Sequence, residues 1–144
     1  MSSNNGFTLI EVLIVIAIMT VVGAIALPVS VDYQRRNDLD VAQVSFVQGA
    51  RRAQQLSISG EGDSQWGVTA TSGNIVIFKG STYATRDASY DENYDISSAI
   101  VSSGQVEYDF AKVTGLPAQT GSATFTNDSY VKTVGVNAKG IVNY

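Results

Sequence analysis

Apolar and polar positions follow three different rhythms along the chain. After the small polar residues Met1 to Gly6, positions 7–27 are apolar almost without interruption, and between Phe7 and Val31 the only ionisable side chain is Glu11. The uncharged run from Val12 to Val31 covers 20 positions, about the length that crosses a bilayer as a helix. Pro28 falls inside this helical pattern, where it removes the hydrogen bond to Ala24 and predicts a kink. Gly23 softens the same stretch.

Beyond Pro28 the spacing changes to threes and fours. Leu39, Ala42, Phe46, Ala50 (or Gly49), Ala53 and Leu56 form an apolar stripe, which Val41, Val44 and Val47 widen. Asp32, Arg35, Arg36, Asp38, Arg51 and Arg52 fall largely off it. The pattern predicts a helix that continues to about Ser57 and stops at Ser59-Gly60-Glu61-Gly62. From Gln65 onward alternation and turn signals take over. Residues 66–70 and 75–78 flank Thr71-Ser72-Gly73-Asn74 as a hairpin, and further strands are predicted at 99–101, 106–110, 123–125, 131–136 and 141–144. The fold class is therefore α+β. A long N-terminal helix, transmembrane in its first half and amphipathic in its second, packs on a small antiparallel β domain. The boundaries read 1–6, 7–30, 31–58 and 59–144.

Composition narrows the chemistry. A chain of 144 residues accommodates one compact domain and one long appendage. The net charge of −4 argues against nucleic acid as a partner, since Arg35-Arg36 and Arg51-Arg52 are too few and too separated to displace counterions. There is no cysteine and no histidine, which removes thiol chemistry and the commonest general base and transition-metal ligand. Ser129-Tyr130-Val131-Lys132 matches Ser-x-x-Lys only by letter, and no other motif nominates an enzyme. Asp87, Asp91, Glu92 and Asp95 gather in a stretch with Tyr83, Tyr90 and Tyr94. An oxygen-rich loop of this kind is a candidate calcium site. The spacing is not that of an EF-hand, however, and a solvated acidic loop is the favoured reading. No other cofactor is expected.

Glu11 is the informative residue. A carboxylate within an apolar run is costly unless a partner neutralises it, and no Lys or Arg lies within a turn or two. A secretory signal with a cut after Ala24-Ile25-Ala26 leaves the acid unexplained and has no basic residue in its n-region. A plain membrane anchor leaves it unexplained as well. The stretch Gly6-Phe7-Thr8-Leu9-Ile10-Glu11, followed by the apolar run and Pro28, closely resembles the leader junction of type IV prepilins and pseudopilins. That resemblance implies cleavage after Gly6 by a prepilin peptidase and N-methylation of the new terminus at Phe7. It also implies that Glu11 meets the terminal amine of a neighbouring subunit, and that the segment around Gly23 and Pro28 stretches when subunits assemble. The implied partners are copies of the chain or other pilins and pseudopilins, the peptidase, the membrane and an inner-membrane assembly platform. The implied location is the cytoplasmic membrane with the C-terminal domain outside, and afterwards an extracytoplasmic filament. The β region is similar, more loosely, to the H-type pseudopilins of type II secretion and to the FimT and FimU minor pilins. The rival reading is a secreted or tethered β-domain binding protein that does not polymerise.

Overall fold

The computed structural model describes residues 6–144, and within 25–29 it describes the backbone alone. The chain divides into two compact units, Met1–Gln34 and Arg35–Tyr144. Helix α1, Leu9–Ser59, contributes to both. From Leu9 to Val22 the side chains of α1 are exposed and, apart from Glu11 and Thr20, apolar on every face. Residues 6–8 precede it as non-helical, exposed chain. The bulk of the expected leader, 1–5, lies outside the described residues. Gly23 and Pro28, where a kink is expected, both fall within α1, which runs as one helix from Leu9 to Ser59.

In the second unit the remainder of α1 packs on two four-stranded antiparallel sheets. The strands are β1 (Trp66–Thr71), β2 (Asn74–Lys79), β3 (Asp87–Asp95), β4 (Val101–Gly104), β5 (Glu107–Phe110), β6 (Gly121–Asn127), β7 (Tyr130–Val136) and β8 (Val142–Asn143). The first sheet is ordered β3-β2-β1-β5 and the second β4-β6-β7-β8. Alternation decides which face is buried. Trp66, Val68 and Ala70 share one face of β1, and across the ladder they meet Phe110, Tyr108 and the β2 pair Ile75 and Ile77. Ala123 and Phe125 of β6, with Val134 and Val136 of β7, supply the inner face of the second sheet. Leu39, Ala42, Phe46, Val47, Ala50 and Ala53 of α1 fill the space between. Phe46 touches both sheets, edge-on to Tyr108 at 6.0 Å and to Phe125 at 5.3 Å between ring centroids.

The stripe read from spacing is thus the buried face, with two corrections. Val41 and Val44 do not widen it but stand exposed, because the sheets cover only the arc centred on Ala42, Phe46 and Ala53. The acidic, Tyr-rich stretch is not a loop: its residues 87–95 form β3, the longest strand among the described residues and an edge of its sheet. The last strand is also shorter than expected, limited to Val142–Asn143.

Candidate functional site

The start of α1 is built by Thr8. Its side-chain oxygen accepts the backbone N–H of Glu11 at 3.3 Å, and its carbonyl accepts the N–H groups of Glu11 and Val12 at 3.1 and 3.3 Å. This is N-cap geometry, and Thr8-x-x-Glu11 is the sequence form of a capping box. That signal is present in the sequence and singles out Thr8. The cap fixes two things. Gly6 and Phe7 remain non-helical and exposed, and Glu11 falls in the first helical turn, where a carboxylate suits the helix dipole.

Phe7, Glu11, Val12, Val15 and Ile16 line a shallow groove of about 250 Å³ on this first stretch of α1. The Glu11 side chain is exposed, and among the described residues nothing forms an ion pair with it. The surrounding surface is unlike that of an ordinary exposed helix. Leu9 is 79 % exposed and Met19 70 %, on a helix with no polar face to present to water. A helix apolar all round is stable only when lipid or other helices cover it. Among the described residues no helix is long and apolar enough to cross a membrane. The span expected over 7–30 is therefore not shown among the described residues.

The acidic residues of β3 do not converge. Asp91 and Glu92 are consecutive in a strand and so point to opposite faces. Arg86 holds Asp91 at 2.7 Å, while Arg52 of α1 holds both carboxylate oxygens of Glu92 at 2.6 Å. The Arg52 hydrogen bond pulls the Glu92 carboxyl below its usual range, and Arg52 is raised in turn. Asp87 accepts from the Ser89 hydroxyl and amide, which lowers its pKa as well. Among the described residues no group of three or more acidic side chains is placed to hold a metal ion. The calcium candidates Asp87, Asp91, Glu92 and Asp95 are thus spread along a strand, two of them already neutralised by arginine. Lys132 of the Ser-x-x-Lys match is engaged with Asp40 at 2.9 Å.

The N-terminal stretch thus combines a capped helix, exposed non-helical residues ahead of it, an acid in its first turn and exposed apolar side chains on every face. The family model of the prokaryotic N-terminal methylation motif matches residues 1–27. The N terminus thus carries the prokaryotic N-terminal methylation motif. No curated protein and no solved structure matches the chain significantly.

Proposed function

We propose that the chain is a structural subunit of a type IV pilus-like filament, as a pilin, minor pilin or type II secretion pseudopilin. It has no catalytic role and needs no bound cofactor. The observation that carries this reading is the exposed, largely apolar helix from Leu9 to Val22 with a carboxylate at Glu11 in its first turn that has no ion-pair partner among the described residues. The bilayer covers that helix before processing, with the domain of 59–144 outside the cytoplasm. The peptidase cuts after Gly6, Phe7 is methylated, and the assembly platform moves the subunit from membrane to filament. There the helices of neighbouring subunits replace lipid, and Glu11 meets the terminal amine of another subunit. A charge in that environment is tolerated only with its opposite in place, so the pair sets subunit register.

Replacing Glu11 by Ala tests this. Leaving one member of a buried pair alone costs about 3–5 kcal/mol, so incorporation into filaments should fall at least ~100-fold. Membrane insertion and peptidase cleavage should persist. Wild-type levels of E11A in sheared filaments would remove Glu11 from the assembly mechanism.

A further inference from the structure

Within the second unit, four exposed apolar side chains lie on the end of α1 and on the segments bonded to it. Ile58, Val113, Leu116 and Ile141 are 50, 67, 49 and 52 % exposed. They are drawn together by Gln54, whose side-chain amide donates to the carbonyls of Gly115 and Gly140 at 2.9 and 3.2 Å. The Val113 amide adds a bond to the Ser57 carbonyl at 2.8 Å. The approach is close enough that a Cβ on Gly115 would lie 2.6 Å from Ile58, and one on Gly140 3.1 Å from the Gly115 carbonyl. Val113 itself stands at φ 71°, in the left-handed region where a β-branched side chain is an outlier. Its side chain gains no burial in exchange. Strain of this kind persists where a position is used.

The 111–116 loop leaves β5, one edge of the first sheet, and β3 is that sheet's other edge. β3 is open to solvent, with Tyr90 and Tyr94 47 and 40 % exposed. Among the described residues its Asp87 and Asp95 make no ion pair. Lys112 and Lys139 flank the apolar patch and are exposed. Lys112 reaches Asp63, while Lys139 has no ion-pair partner among the described residues. The two edges thus complement each other: an apolar patch with basic neighbours, and a Tyr-bearing acidic strand. Tyrosine is favoured at interfaces, and opposite charge orients the encounter.

We propose that the patch of Ile58, Val113, Leu116 and Ile141 on one subunit receives the β3 edge of a second copy of the chain. This names the partner surface within the filament reading and rests on it. The two surfaces differ: β5, which leads into the 111–116 loop, and β3 are opposite edges of the first sheet, about 14 Å apart at three strand spacings. The contact is therefore heterologous and repeats from copy to copy.

The chain has no cysteine, so disulfide trapping in whole cells tests the contact cleanly. The full-length chain carrying Val113→Cys and Tyr94→Cys should give a ladder of dimers, trimers and higher species, at least ~10-fold above a control pair of Val101→Cys and Tyr94→Cys. Val113→Cys alone should give no ladder. Lys139→Glu should diminish it, and adding Asp95→Lys should restore it. Val113→Gly separates contact from folding: glycine relieves the left-handed strain, so thermal stability should hold or rise while assembly falls. A ladder no stronger than the control, or efficient dimers from Val113→Cys alone, would overturn the assignment. Glu11→Ala in parallel keeps the two readings distinct: Glu11-dependent filaments without the ladder sink this contact and leave the filament standing.

Discussion

Ser57 joins the end of α1 to the start of the first sheet, and its removal should be felt well beyond its size. It is fully buried. Its hydroxyl accepts the Trp66 amide at 2.8 Å and donates to the Trp66 carbonyl at 3.3 Å. Trp66 is itself buried, so in Ser57→Ala no water reaches the stranded N–H. Each net hydrogen bond is worth about 0.5–1.5 kcal/mol, and an orphaned buried donor adds a desolvation cost of about 1–3 kcal/mol. Alanine puts only a hydrogen where the hydroxyl stood, so no new apolar contact offsets the loss. The expected loss is about 2–3 kcal/mol. For a folded unit of this size that lowers Tm by roughly 6–15 °C. The assay is thermal unfolding of the full-length chain in detergent micelles, followed by near-UV circular dichroism of the single tryptophan. Ser59→Ala is the internal control: that hydroxyl donates to the Leu56 carbonyl at 3.0 Å from an exposed position, and its loss should stay within about 0.5 kcal/mol. Equal, small effects at both positions would refute the claim that Ser57 couples helix and sheet.

Tyr108 is fully buried with no hydrogen-bond partner for its hydroxyl among the described residues, so Tyr108→Phe should be neutral or stabilising in the same melts. Burial also pushes the Tyr108 hydroxyl up to about 12. The unfolded chain therefore ionises first, and stability present below pH 10 should fall as the pH rises from 10 towards 12, less so in the phenylalanine variant. Glu92 shows the opposite sign. The Arg52 hydrogen bond depresses its pKa, so its contribution is present above the unfolded carboxyl value of about 4.3 and is lost as the pH falls through the folded one. A pH series of Tm below 5 should show Glu92→Gln losing less than wild type.

What was legible in the sequence follows from where the physics is local. The apolar run, the stripe of Leu39, Ala42, Phe46 and Ala53, and the Ser59-Gly60 stop are periodic or positional signals, and all three appear in the fold. The first hairpin was equally plain, since Ser72-Gly73 sits between two alternating runs that pair as expected. β3 was not legible. Four acids in nine positions carry little strand propensity, and an edge exposed on both faces leaves no alternation to detect. The fate of its carboxylates was hidden for a related reason: the cation that holds Glu92 comes from position 52, 40 residues away. Ser57 carried no signal either, because its partner is fixed only once helix and sheet meet. Thr8 did, as the first residue of Thr-x-x-Glu, and the apolar run drew attention away from it. Val113 is the reverse case, an ordinary sequence position whose backbone alone sets it apart.

The central claim is that this chain is matured as a pilin-like subunit, and the mass of its N-terminal peptide, from protein taken out of native membranes, tests it most directly. The account predicts a chain that begins at Phe7 and carries one methyl group on its amine. A chain beginning at Leu27 would make it a signal-peptide-cleaved β domain, and an unprocessed Met1 would leave an anchored protein that is never matured for assembly. Either result would contradict the account.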